Sequence, residues 1–150
     1  MFIEMTYFTW ITEKIAIGEW NASYEPFDTI VNLSYINQNV NELEHGKMDT
    51  EDHAGKTIYT LGVYDTDNDA FLFLSFLYRV VPLLSPTALI LFQCHDGKSR
   101  SVCMALAYLC KFHDVSIETG MTMIHIKRPI IHPRPSFVNM VITWNDLRRG

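Results

Sequence analysis

The apolar and polar positions change period several times along the chain. Residues 88–92 read ALILF, an unbroken apolar run between a Ser-Pro turn and a polar, glycine-containing stretch. A short run without alternation is the pattern of a strand covered on both faces. After the glycine, Arg100–Phe112 (RSVCMALAYLCKF) is apolar almost all round, which predicts a central, buried helix. Earlier β-rich stretches lie at 15–17, 29–33 (TIVNL) and 58–63, each set off by turn residues. Residues 37–56 are polar and acidic and read as loop or irregular structure. The turn cluster YDTDND, residues 64–69, offers several helix caps, and Asp67 and Asp69 are assigned mainly to that role. A helix starting near Ala70 should end near Pro82, with a turn at Ser85 and Pro86. A further helix is expected at about 116–126. After prolines 129, 133 and 135, Ser136 is the expected cap of a last helix. On it Phe137, Val141, Trp144 and Arg148 share one face. Strands first, then helix–strand–helix, then helices, predict an α/β domain with a central sheet covered by helices.

Composition narrows the class. Hydrophobic residues make up 48% and charged residues 19% of 150, which suits one globular domain spanning 1–150. No repeat or low-complexity tract is visible. The start MFIEMTYFTW lacks the features of a signal peptide. The longest apolar run, residues 71–84, is broken by Ser75, Arg79 and Pro82, so no membrane insertion is expected. Three cysteines, Cys94, Cys103 and Cys110, argue against a disulfide framework and for a reducing cytoplasm or nucleus.

The net charge of −5 is unevenly spread. Residues 1–97 hold 14 acids and 4 bases, whereas residues 98–150 hold 3 acids and 8 bases. Most of this is solvated surface, but the second half can gather positive potential around an anion. The overall acidity excludes general nucleic-acid binding.

The chemistry concentrates in FQCHDGKSRS, residues 92–101. A strand, a tight loop and a helix start turn backbone N–H groups inward into an anion-binding nest. Gly97 permits a backbone conformation closed to most residues. Arg100 can give two parallel hydrogen bonds to phosphate oxygens. Cys94 at the strand end lies at the base of this cradle, where the same field favours a nucleophilic thiolate. A lone cysteine after an apolar strand is otherwise a small buried hydrophobe. The strand, Gly97, Ser99, Arg100, Ser101 and helix in order favour the phosphate reading.

CHDGKSRS resembles the signature loop of cysteine-dependent protein phosphatases, in particular the dual-specificity branch, with Cys, five residues, Arg, then Ser or Thr. LGVYDTDND (61–69) resembles the segment carrying the family's general acid, AYLCKF the helix after the loop, and RPIIHPRPSF (128–137) the late Arg-Pro…Pro…Phe element. ITEKIAIGEWNA (11–22) matches the opening strands. The resemblance implies a protein tyrosine phosphatase-like α/β fold, with a mixed twisted sheet of about five strands flanked by helices.

It also implies a two-step reaction without a metal or other cofactor. Cys94 attacks phosphorus, and Arg100 with the loop residues His95, Asp96, Gly97, Lys98 and Ser99 holds the phosphate. Asp65, in its Val-x-Asp context, protonates the leaving oxygen and later activates water. Ser101 hydrogen-bonds the thiolate, and Ser99 orders the loop. The implied substrate is a phosphorylated protein carrying phosphotyrosine, with phosphoserine or phosphothreonine as a second class, and a monomer is expected.

Two departures keep other readings open. The family usually has histidine before the cysteine, and here Gln93 can donate a hydrogen bond but cannot carry charge. His95 either compensates electrostatically or faces solvent. A catalytically weak phosphate-binding module is therefore one alternative. Lys98 motivates the other, a phosphoinositide or inositol-phosphate phosphatase. HPRPSF departs from the usual asparagine-containing form, and Arg134 reads as either a substrate contact or an exposed residue, the second being favoured. Histidines 45, 53, 113, 125 and 132 show no metal-ligand spacing. Trp10, Trp20 and Trp144 read as packing residues. Cys103 and Cys110 read as core, with Cys103 also a candidate resolving thiol if Cys94 is oxidised.

Overall fold

A computed structural model describes residues 7–34 and 44–150. The part of the expected 37–56 loop up to residue 43 lies outside the described residues. The strands are β1 (Phe8–Trp10), β2 (Ile15–Gly18), β3 (Thr29–Asn32), β4 (Met48–His53), β5 (Lys56–Leu61) and β6 (Ile90–Gln93). The helices are α1 (Ala70–Val80), α2 (Arg100–Phe112), α3 (Ile117–Lys127) and α4 (Pro135–Arg149). The strands form one sheet in the order β1-β2-β6-β3-β5-β4. The inner pairs β2–β6, β6–β3 and β3–β5 are parallel, and the edge pairs β1–β2 and β4–β5 are antiparallel.

Among the described residues the sheet has six strands, where about five were expected. The addition inside the expected loop is β4, whose MDTEDH sequence is exposed along most of its length. An edge strand open to solvent needs no apolar alternation, and β4 is held by its ladder to β5 from Met48↔Leu61 to His53↔Lys56.

Alternation sorts the strands between two cores. Ile15, Ile17, Val31, Ile90 and Phe92 join the larger cluster, while Ala16, Ile30 and Leu91 face the smaller one. All buried apolar residues of the four helices belong to the larger cluster. The helices therefore cover one face, and Ala22 and Phe27 of the β2–β3 connection close the other. β6 starts at Ile90, two residues into the expected 88–92 run, with Ala88 and Leu89 half-buried before it, and each of its own residues, Gln93 included, is buried. So is α2 from Ser101 to Cys110, with Tyr108 packed edge-on to Phe92 at 5.8 Å.

The other helices pack around α2. α1 gives way to a 3₁₀ turn, Val81–Leu83, at Pro82. Ser116 caps α3 by accepting from Thr119 N. Gly120 lets α3 approach α2 closely, since a Cβ there would lie 2.8 Å from Leu106 Cδ1. α4 begins at Pro135 with Arg134 as its N-cap, so Ser136 is inside the helix and not its cap. Proline suits the first helical turn, where its missing N–H has no partner to lose. Phe137, Val141 and Trp144 are buried as expected, and Arg148 lies over the Trp144 ring. Trp10 and Trp20 are more than one-third exposed, so Trp20 is less a packing residue than expected. Among the described residues, no helix is long and apolar enough to cross a membrane.

Candidate active site

The chain leaves β6 at Gln93 and enters α2 at Arg100, so residues 94–99 form a short loop between two buried elements. This loop is held from outside by its carbonyls. Trp20 N donates to His95 O at 3.1 Å, and His132 N donates to Lys98 O at 2.8 Å. Arg128 donates to Asp96 O at 3.3 Å through Nη2 and to Gly97 O at 2.8 Å through Nε. Four successive carbonyls thus have partners outside the loop. Among the described residues, the backbone N–H groups of 95–99 have no acceptor. Unpaired amides at a helix N-terminus make the anion-binding nest expected from the sequence.

Gly97 is necessary to this geometry. Its φ is +64°, and an added Cβ would lie 2.6 Å from Arg128 Nη2 and 2.8 Å from Gly18 O. Arg128 was not assigned a role from sequence. Its third bond runs to Thr9 Oγ1 at 2.8 Å, so one buried guanidinium ties β1 to the loop. The available signal was the Arg-Pro pair in RPIIHPRPSF, but its partners lie 31 or more residues away.

Cys94 is 2% exposed at the base of the loop, and its Sγ lies 3.1 Å from Ser101 Oγ. Arg100 donates through Nη1 to Leu33 O at 2.9 Å and Val63 O at 2.8 Å. Those bonds fix the guanidinium, while its buried Nε has no partner among the described residues. A buried donor without an acceptor is costly, and an anion in the loop supplies one.

Asp65 reaches the same place from the β5–α1 connection. Its Oδ1 accepts from Ser99 Oγ at 2.8 Å and from Arg134 Nε at 3.2 Å. Arg134 is thus not simply exposed: it forms ion pairs with Asp65 and Asp67 and is about one-third accessible. Asp67 and Asp69 also depart from expectation, because neither carboxylate caps a helix. Asp69 stands at the N-cap position of α1 but accepts from Tyr64 N and His45 Nε2. Asp67 accepts from Ser136 Oγ, and that bond, followed by Arg134, holds its carboxyl below the usual range.

Asp65, Cys94, His95, Asp96, Lys98, Ser99, Arg100 and His132 line one cavity of about 190 Å³. Gly97 completes the backbone beneath it, and Ser101 adjoins Cys94 from α2. The residues named from the sequence therefore meet at one place, with His132 added. The His95 side chain is 52% exposed and lies 3.8 Å from Asp96.

Gln93 is buried behind the loop. Its Nε2 donates to Glu19 O at 3.0 Å, and its Oε1 accepts from Tyr24 OH. Burial pushes the Tyr24 hydroxyl up to about 12, so it remains a donor at neutral pH. Gln93 thus joins β6 to the 19–24 segment without carrying charge. Cys103 is wholly buried, and burial above all pushes its thiol up, with Asp65 and Cys94 adding to the effect. Since the thiolate is the attacking species in disulfide exchange, this site is poorly suited to a resolving thiol.

Comparisons with known proteins agree with this architecture. The family model described as "Dual specificity phosphatase, catalytic domain" matches residues 15–147. Human dual specificity protein phosphatase 21 is 39% identical over 54 residues, a stretch covering 36% of this chain and 28% of that protein. The structure of human DUSP28 superposes with a TM-score of 0.67 at 16% identity, covering 96% of both chains. PTPMT1 in complex with PI(5)P superposes with a TM-score of 0.65 at 17% identity, covering 96% of this chain and 99% of that one. At these identities the two structures speak for the fold. The family match spans nearly all of the sheet and every helix of the cavity, and the chain belongs to the dual specificity phosphatase catalytic domain family.

Proposed function

We propose that this chain is a protein phosphatase that hydrolyses phosphotyrosine, and also phosphoserine or phosphothreonine, through a phosphocysteine intermediate. The observation carrying this reading is the arrangement around Cys94. Its sulfur sits beside Ser101, below a loop whose amides and Arg100 Nε lack acceptors among the described residues, in one cavity with Asp65.

In the first step the Cys94 thiolate attacks phosphorus as the ester P–O bond breaks. The loop amides and Arg100 hold the non-bridging oxygens, and Asp65 gives its proton to the departing oxygen. The transition state is loose, so positioning and charge stabilisation supply most of the acceleration. In the second step Asp65, now ionised, takes a proton from water as that water attacks phosphocysteine. The P–S bond breaks, and the Ser101 hydroxyl stabilises the departing thiolate. A cytoplasmic or nuclear location is part of this reading, and three buried free cysteines support it because such thiols persist in a reducing compartment.

A second reading keeps the chemistry and changes the substrate. Lys98 and His132 on the cavity wall offer cationic or hydrogen-bonding contacts beyond one phosphate, as an inositol-phosphate head group would use. Phosphate release from a phosphotyrosine peptide, a phosphoserine peptide and a phosphoinositide vesicle separates the readings. Turnover of the peptides supports the proposal, and turnover of the vesicle alone supports the second reading. Phosphopeptide binding without turnover of any substrate would make the chain a phosphate-binding module.

A further inference from the structure

An aspartic acid that delivers a proton must present one of its two oxygens to the leaving group. The terminal torsion of an aspartate is broad and roughly two-fold, so that choice needs outside contacts. Both side-chain bonds of Asp65 fall on Oδ1, from Ser99 Oγ at 2.8 Å and Arg134 Nε at 3.2 Å. Among the described residues Oδ2 has no hydrogen-bond partner. The donor side is itself held. Arg134 Nη1 lies 3.3 Å from Asp67 Oδ1, which accepts a 2.8 Å bond from Ser136 on α4. The backbone N–H of Arg134 donates to Ser99 Oγ at 2.9 Å, so one residue braces both contacts to Asp65.

Asp65 lines the cavity and Arg134 does not. We infer that Arg134 is a positioning residue for proton delivery, engaging Asp65 Oδ1 so that Oδ2 is the oxygen turned to the leaving group. This rests on Asp65 being the general acid. The guanidinium acts through orientation rather than ion-pair energy, because partly exposed pairs contribute little. Its rigid fork can meet Asp65 and Asp67 together, whereas a lysine ammonium is a single point charge.

The signature is dependence on the leaving group. Nitrophenolate departs readily without a proton, whereas phenolate gains much more from a delivered one. The test measures kcat and KM for p-nitrophenyl phosphate and phenyl phosphate in wild type, Arg134→Ala, Arg134→Lys, Asp65→Asn and the Asp65→Asn, Arg134→Ala double variant. Arg134→Ala should lower kcat/KM, which reports only the steps through P–O cleavage, about tenfold for phenyl phosphate and less than about twofold for p-nitrophenyl phosphate, because only the first needs the acid fully. KM should stay near wild type, and Arg134→Lys should restore part of the selective loss. In the Asp65→Asn background, Arg134→Ala should add no selectivity.

An equal loss of kcat/KM on both esters, no loss of it on phenyl phosphate, or a selective loss persisting without Asp65 would overturn the inference. In each case wild-type turnover would leave the phosphatase reading standing. Hydrolysis of neither ester by wild type would overturn both.

Discussion

Ser99 Oγ donates to Asp65 Oδ1 at 2.8 Å and accepts from Arg134 N at 2.9 Å. One hydroxyl of the phosphate-binding loop therefore registers that loop against both the β5–α1 connection and the entry to α4. Ser99 is 7% exposed, whereas Asp65 is about one-third accessible and keeps its bond from Arg134 when the hydroxyl is removed. Ser99→Ala should cost about 0.5–1.5 kcal/mol of stability, the net contribution of an ordinary hydrogen bond. Urea denaturation measures that cost, and kcat for phenyl phosphate should fall with it.

Gly97→Ala should fail for a different reason. A left-handed backbone carrying a side chain costs about 1–3 kcal/mol, and the new Cβ would also meet backbone at Gly18 O, 2.8 Å away. The loop must shift, and its amides would no longer converge. Orthovanadate inhibition should weaken sharply while far-ultraviolet circular dichroism stays near wild type. Unchanged inhibition would show that the +64° φ is dispensable.

Arg128→Lys tests the outer support of the loop. The guanidinium reaches Thr9, Asp96 and Gly97 at once, at 2.8, 3.3 and 2.8 Å. A lysine cannot reproduce that fork. Hydrogen bonds to charged groups contribute about 1.5–3 kcal/mol each to stability, so losing one or two should destabilise the loop by about that much and lower kcat/KM as its amides lose their alignment. Steady-state kinetics on an aryl phosphate checks this.

Stability should fall at alkaline pH. Burial raises Tyr24, Tyr108, Cys103 and Cys110 above their ordinary values of 10.0 for tyrosine and 9.0 for cysteine. These groups are neutral when protonated. Above pH 9 the unfolded chain releases their protons while the folded chain retains them, so the folded state binds more protons. Stability then decreases as pH rises. Denaturation at pH 8, 9, 10 and 11 should show a flat region followed by a decline. Tyr24→Phe should remove its part of the decline between pH 10 and about 12.

The segment from β6 into α2 was legible because its signals are local. ALILF, the glycine loop and the apolar helix are consecutive, and both elements are buried as their patterns require. β4 was hidden because MDTEDH is an exposed edge strand whose pairing with β5 depends on backbone hydrogen bonds. The expected caps Asp67, Asp69 and Ser136 failed through tertiary competition. Asp67 and Ser136 bond each other across 69 residues of sequence, and Asp69 turns to Tyr64 and His45. The Arg128 and Arg134 contacts were equally invisible, since each spans 31 or more residues. Cys94, Arg100, Ser101 and Asp65 could be named because three lie in one short motif and the fourth in a recognisable turn.

The central claim is that the Cys94 sulfur attacks phosphorus. The most direct test mixes wild type, Asp65→Asn and Cys94→Ser with a good-leaving aryl phosphate, quenches rapidly and maps the adduct by peptide mass spectrometry under mild conditions. The account predicts a phosphoryl group on Cys94 in wild type and Asp65→Asn, and neither adduct nor phosphate release in Cys94→Ser. Undiminished phosphate release by Cys94→Ser would contradict it.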